Sequence, residues 1–170
     1  MYGTRIKVAV AGSLLLLAGA SVTATAGGAG TNGARLDSLA EVPTLSTSGG
    51  GSFTARVGTT PDRIRYTLRY NRMTTAVQQA HIHLGRRAVN GGISAFLCTN
   101  IGGGSARTPA CPRRGVVRGV IRRADVIGPT DQALGTGHFN ELVRAVRSGA
   151  AYVNVHTARF PSGEIRGQIR

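Results

Sequence analysis

The chain has 170 residues, of which 21 are basic and 7 acidic, and its formal net charge is +14 at pH 7. This length suits a single domain with its own hydrophobic core, and no internal repeat is apparent. The charge favours contact with polyanions, but the chain has no tryptophan and no nucleic-acid-binding motif, which argues against a nucleic-acid-binding protein.

The first 26 residues are predicted to be a signal peptide. Arg5 and Lys7 precede an uncharged, mostly apolar run from Val8 to Ala20, and Ala24-Thr25-Ala26 matches a cleavage site. A transmembrane anchor is the alternative, but a span needs about 20 apolar residues. We therefore expect cleavage after Ala26, no stable membrane span afterwards, and a secreted or cell-envelope location.

Residues 27–33 are rich in glycine and lack apolar periodicity, so they are predicted to form a flexible linker before a domain at 34–170. Within the domain, apolar and polar residues alternate with the period of half-buried strands. The predicted strands are 52–57, 63–70, 77–84, 93–98, 116–121, 124–127, 151–157 and 165–169. In the clearest of them, 63–70, one side is apolar and the other is cationic.

One segment departs from this alternation. Phe139, Leu142, Val143 and Val146 are spaced as one face of a helix, and Gly149 suits its C-terminal cap. We therefore expect a short helix near 139–148. Many short strands with one late helix predict an all-β fold, a Greek-key β-sandwich.

Cys98 and Cys111 are the only two cysteines of the chain, and a glycine-rich stretch separates them. In an exported protein this pattern predicts one disulfide. Metal ligation and reactive thiols are the alternatives, although neither cysteine belongs to a CxxC or CxxH motif.

Three of the four histidines lie in predicted strands. His81 and His83 are two residues apart, so they project to one face of a strand, while Ile82 faces the core. If the strand that carries His156 pairs with theirs, the three imidazoles could bind one copper or zinc ion. Water, His138 or Glu164 would then fill the fourth position. The alternative is a structural network of hydrogen bonds.

Four polar residues are candidates to support these histidines: Tyr152, Asn154, Glu164 and Arg166. Glu164 and Arg166 are two apart, which predicts a local ion pair; alternatively, Glu164 orients an imidazole. Positive evidence for an enzyme is lacking, because the chain has no GxSxG, P-loop or HExxH motif and its seven carboxylates offer no obvious acid/base pair.

The chain resembles the CHRD domain family, first described in chordin, from about Leu36 to Gln168. The resemblance rests on five stretches, Leu39-Ala40-Glu41-Val42-Pro43, Ala80-His81-Ile82-His83-Leu84-Gly85, Tyr152-Val153-Asn154-Val155-His156-Thr157, Phe160-Pro161 and Gly163-Glu164-Ile165-Arg166-Gly167. It implies an immunoglobulin-like or superoxide-dismutase-like sandwich in an extracellular protein. The two-metal site of copper/zinc superoxide dismutase needs six histidines and an aspartate, so four histidines leave only a mononuclear site.

These observations predict a secreted, non-catalytic binding module with a cationic surface. Its expected partner is an anionic polymer of the cell envelope or an extracellular protein, and export disfavours nucleic acid. The simpler explanation of the charge, which the spread of the arginines along the chain favours, is an arginine-rich composition with a solvated surface. The alternative function is that of a mononuclear copper or zinc protein with weak redox activity, using His81, His83 and His156.

Overall fold

The computed structural model describes residues 30–58, 61–113 and 115–170. The predicted signal peptide, residues 1–26, lies outside these ranges, as do residues 27–29 of the predicted linker. Within them, no helix is long and apolar enough to cross a membrane.

Eight strands and one α-helix form the domain. The strands are β1 (Gly30–Asp37), β2 (Gly50–Val57), β3 (Arg63–Asn71), β4 (Val77–Leu84), β5 (Ile93–Thr99), β6 (Gly115–Arg122), β7 (Ala151–Thr157) and β8 (Ile165–Gln168), and the helix is α1 (Phe139–Arg147). The predicted all-β class with one short helix is therefore confirmed.

The strands form one antiparallel sheet in the order β5-β4-β7-β8-β1-β2-β3-β6. The sheet curls on itself, so the predicted sandwich is a nearly closed barrel whose edge strands are β5 and β6. The hydroxyl of Tyr66 on β3 donates to the carbonyl of Leu97 on β5, 2.6 Å away, and so joins the two ends of the sheet. This topology places β4 beside β7, which brings the histidine-bearing strands together.

The core is built by the alternation seen in the sequence. On β3, Ile64 and Leu68 are buried while Arg65 and Arg69 are exposed. Each buried aliphatic side chain of this kind stabilises the fold by roughly 1.5–3 kcal/mol relative to an exposed one. Helix α1 adds its apolar face to this core, and Gly149, at φ 69°, ends it where the sequence predicted.

The disulfide prediction is confirmed, because Cys98 at the end of β5 is bonded to Cys111. The side chain of Asn100 also holds the loop between these two cysteines. Its amide group donates to the carbonyls of Val77, at 3.0 Å, and Cys111, at 2.8 Å. The loop is therefore tied to β4 as well as to β5.

Two predictions of secondary structure are wrong. Residues 124–127 do not form a strand, because Arg123–Asp125 is a turn of 3-10 helix in which the Asp125 carboxylate accepts from the backbone N–H of Arg122, at 2.9 Å. Residues 30–33 are not a linker, because they begin β1. Gly33 exchanges two backbone hydrogen bonds with Arg170, of 2.7 and 2.9 Å, which need no side-chain periodicity.

Candidate functional sites

The three strand histidines converge on one point. On β4, His81 lies opposite Asn154 of β7 and His83 lies opposite Tyr152. One ring nitrogen from each of His81, His83 and His156 lies within 4.8 Å of the others. The three residues are only 2%, 7% and 9% exposed, respectively. The fourth histidine, His138, is exposed at the start of α1 and does not belong to this group.

Backbone carbonyls fix the tautomers of two of these rings. His83 Nδ1 lies 2.9 Å from the carbonyl oxygen of Gly91, and His156 Nδ1 lies 2.9 Å from that of Pro161. A carbonyl can only accept, so each Nδ1 donates its proton and each Nε2 carries a lone pair.

The third ring is linked directly to one of the others. His81 Nδ1 lies 3.0 Å from His156 Nε2, which is already an acceptor, so His81 donates in this pair. The Nε2 atoms of His81 and His83 are then buried lone pairs without a hydrogen-bond partner among the described residues. Buried polar atoms are rarely left in this state, because it costs about 1–3 kcal/mol each.

Burial keeps the three imidazoles neutral. It lowers the pKa of His81 to about 2, with the nearby His156 and His83 as further causes. It lowers the pKa of His83 to about 4, against the opposing hydrogen bond to Gly91, and it also lowers the pKa of His156. All three rings are therefore unprotonated near neutral pH, which is the form that binds metal.

A stack of side chains continues from His83. The ring of Tyr152 is parallel to that of His83 within 8°, with centroids 4.8 Å apart. The guanidinium of Arg166 lies over the ring of Tyr152, with Cζ 3.5 Å from the ring centroid. Since Tyr152 also accepts from the backbone N–H of Gly91, at 3.1 Å, the stack fixes His83 and the segment that holds its Nδ1.

Glu164 does not contact the histidines. Its carboxylate accepts hydrogen bonds from the hydroxyl and backbone N–H of Thr74 and from the hydroxyls of Thr157 and Thr47. The predicted ion pair with Arg166 is wrong, because the guanidinium donates to loop oxygens instead. The predicted role of Glu164 in orienting an imidazole is likewise not seen.

Sequence reasoning missed Glu41, which lies in one of the stretches that carry the family resemblance. Its carboxyl group is 5% exposed and accepts from the amide of Asn154 at 3.3 Å. Burial raises the pKa of Glu41 to about 7, although the Asn154 hydrogen bond and the charge of Arg166 oppose this change. The predicted supporting residue Asn154 thus binds Glu41.

A second candidate site lies on the outer face of β2, β3 and β6. Four exposed arginines project from it: Arg56, Arg65, Arg69 and Arg118. Arg56 is directly opposite Arg65 in the register, Ser52 is opposite Arg69, and Thr67 is opposite Arg118. These residues line a shallow groove of about 700 Å³. In the described part of the chain, the salt bridges are Arg63–Asp62 and Arg107–Asp125, so none involves these four arginines.

Comparison with known proteins agrees with the sequence resemblance. The sequence model of the CHRD domain family matches residues 33–169. No curated protein matches the chain, and no solved structure does. The match covers nearly the whole of the described domain, including both histidine-bearing strands. The chain therefore belongs to the CHRD domain family.

Proposed function

We propose that this CHRD-domain protein is a non-catalytic binding module that works outside the cytoplasm. Its outer arginine face, formed by Arg56, Arg65, Arg69 and Arg118, would hold an anionic polymer of the cell envelope. Its membership of the CHRD family rests on the family match over residues 33–169.

The disulfide supports the extracellular part of this proposal. A bond between Cys98 and Cys111 forms and persists in oxidising compartments. The signal peptide predicted at 1–26 would deliver the chain to such a compartment.

The observation that carries the binding proposal is the pairing of Arg56 with Arg65 across two strands. Like charges directly opposite one another in a sheet are destabilising, and no described carboxylate forms a salt bridge with either. A bound polyanion would replace this repulsion with attraction, and arginine forms bidentate hydrogen bonds with phosphate and carboxylate groups.

The layout of the face favours a chain-like partner over a single small anion. Neighbouring strands are about 4.8 Å apart, whereas Arg65 and Arg69, four residues apart on β3, are separated by roughly 13 Å. A single phosphate or carboxylate group would engage only some of the four arginines, whereas a polymer can engage them all. The hydroxyls of Ser52 and Thr54 lie on the same groove and would add neutral hydrogen bonds along such a polymer.

The test compares two variants with the same loss of charge. In the first, Arg56, Arg65, Arg69 and Arg118 are replaced by glutamine. In the matched control, the exposed arginines Arg87, Arg113, Arg144 and Arg159, which lie elsewhere on the surface, are replaced by glutamine. Binding to immobilised long-chain polyphosphate and to poly-L-glutamate is measured by biosensor between 50 and 200 mM salt.

We expect the first variant to lose most of its affinity and the control variant to keep most of it. With about four phosphate contacts, the affinity of the wild type should fall roughly 50-fold over this salt range, by the counterion-release relation for single-stranded polyanions. Equal losses in the two variants would mean that net charge alone drives binding. That result, or binding that does not respond to salt, would overturn the proposed site.

A further inference from the structure

We infer that His81, His83 and His156 form a mononuclear site for a copper or zinc ion. This inference does not depend on the arginine face, which lies on β2, β3 and β6, whereas the histidines lie on β4 and β7.

His83 has an unused coordinating atom. Its Nε2 is buried and has no hydrogen-bond partner among the described residues, although the ring is held firmly on its other side by Gly91. A cluster that served only to fix the sheet would be expected to pair its buried nitrogens. A metal ion beside this lone pair would satisfy it.

Hydrogen bonds to backbone carbonyls fix two of the rings as they are fixed in metal-binding histidines. Histidines that bind metal usually donate the proton of their other ring nitrogen to a carbonyl or a carboxylate, which fixes the tautomer and aims the lone pair. His83 and His156 both do so, through the carbonyls of Gly91 and Pro161. Two rings are thus already held in the tautomer that coordination through Nε2 requires.

The distances between the ring nitrogens are near those of a zinc site. With metal–nitrogen bonds of roughly 2.0–2.1 Å, the ligand atoms of a tetrahedral zinc site are about 3.3 Å apart. His81 Nδ1 and His156 Nε2 are 3.0 Å apart, close to this value. The widest separation, 4.8 Å, has to shorten by about 1.5 Å, which requires rotation of one ring.

An ion bound here replaces one hydrogen bond. His81 donates its Nδ1 proton to His156 in the metal-free protein, so coordination by both nitrogens displaces that proton. The unpartnered Nε2 of His81 can take it up. The ring then remains neutral, and only its tautomer changes.

The donor set selects the class of metal. Three imidazoles suit copper and zinc, whereas magnesium and calcium prefer oxygen ligands. No other His, Cys, Asp or Glu of the described residues belongs to this cluster. The positive charge of Arg166 lies against the ring of Tyr152, which is stacked on His83. Repulsion from this charge is smaller for Cu⁺ than for a divalent ion, so Cu⁺ is tested beside Zn²⁺ and Cu²⁺.

The experiment uses the tag-free mature protein with its disulfide intact. The metal-free protein is titrated separately with Zn²⁺, Cu²⁺ and Cu⁺, the last with ascorbate. We expect one ion per chain for at least one of these metals. His83→Gln and His156→Gln should each weaken binding at least 100-fold. His138→Gln is the matched control and should leave binding unchanged, because His138 is exposed on α1.

If the variants fail to fold, as judged by circular dichroism, a second measurement on the wild type tests the inference. In the wild type, imidazole ¹H–¹⁵N spectra should show metal-induced shifts for three histidines and none for His138. The ring of His81 should change from the Nδ1–H to the Nε2–H tautomer. Absence of stoichiometric binding by every metal, retained affinity in folded His83→Gln, or a shift confined to His138 would overturn the inference.

Discussion

The guanidinium of Arg166 lies 3.5 Å above the centre of the Tyr152 ring, in the interior of a protein that has few acidic groups to balance it. Arg166 also donates to the carbonyls of Arg86 and Val89, at 3.0 and 2.7 Å. The buried cation therefore fastens the segment between β4 and β5 to the outer side of β7 and β8. The same segment supplies the Gly91 carbonyl that orients His83.

Replacement of Arg166 should be strongly destabilising. Arg166→Leu removes the stacked cation and the hydrogen bond to the carbonyl of Val89, while the carbonyl of Arg86 keeps only its bond from the backbone N–H of Val89. We therefore expect a loss of about 2–4 kcal/mol in the free energy of unfolding. Urea denaturation measures this loss. Hydrogen exchange should show the largest loss of protection near Gly91.

Arg159→Leu is the matched control for this prediction. Arg159 also lies over an aromatic ring, that of Phe160, but at 5.6 Å and exposed to solvent. Its replacement should cost less than about 1 kcal/mol. Similar losses in the two variants would contradict a special role for the buried stack.

Glu164 should behave as a structural residue. Its carboxylate accepts hydrogen bonds of 2.8 Å and 2.7 Å from the hydroxyls of Thr74 and Thr157. In Glu164→Gln, the new NH₂ group would face these donors, so we expect a loss of about 2–3 kcal/mol in the free energy of unfolding. Thermal and urea unfolding measure it.

The control for Glu164 is Glu141→Gln, a change of the same kind on the exposed side of α1. It should change stability by less than about 0.5 kcal/mol. If Glu164→Gln folded with wild-type stability, the threonine contacts would contribute little and the carboxylate would need another explanation.

The sequence was most informative where the fold depends on alternation. The period of two located β2 to β8, because half-buried strands must place apolar residues on one side. It missed β1, whose first four residues, Gly30-Thr31-Asn32-Gly33, have no apolar side chain and are held by backbone hydrogen bonds. The sequence pattern also predicted a strand at 124–127 wrongly, because the capping contacts of Asp125 leave no periodic signal.

The same limit applies to the histidine cluster. His81 and His83 were predictable, since residues two apart on a strand share a face, and the strand order then brought in His156. Arg166 was predicted as a supporting residue, but its contacts were not predictable and Glu41 was missed, because both depend on irregular segments packed over that face. Strand periodicity says nothing about such segments, so the ion pair of Glu164 with Arg166 was a reasonable but wrong expectation.

Glu41 should make the stability of the metal-free protein depend on pH. Its pKa is raised from 4.5 to about 7 in the folded state by burial, among Asn154, Arg166 and Glu164. The folded state therefore favours the protonated carboxyl, whose stabilising effect is complete below pH 4.5 and is lost as the pH rises through 7. The difference corresponds to roughly 3 kcal/mol.

Glu41→Gln isolates this effect, because glutamine resembles the protonated carboxyl at every pH. The variant should be similar to or slightly less stable than the wild type at pH 5 and more stable at pH 8, by urea denaturation. The histidines contribute the opposite trend, since their lowered pKa values make stability fall below pH 6.5. That trend is common to both proteins, so a stability difference that is the same at pH 5 and pH 8 would contradict the assignment.

The last prediction concerns the bond between Cys98 and Cys111, which are 13 residues apart in the sequence. Closing a loop of this length should stabilise the fold by about 3 kcal/mol in the chain-entropy model. Cys98→Ala/Cys111→Ala should therefore unfold at lower urea concentration than the oxidised wild type.

Reduction supplies the control for the disulfide. Dithiothreitol should lower the stability of the wild type towards that of the double variant and leave the variant itself unchanged. Part of the loop should stay ordered in both, because Asn100 still donates to the carbonyls of Val77 and Cys111.

If the domain needs this bond at physiological temperature, protein retained in a reducing cytoplasm should be degraded faster than exported protein. Equal lifetimes in the two compartments would show that the fold does not depend on the oxidising environment.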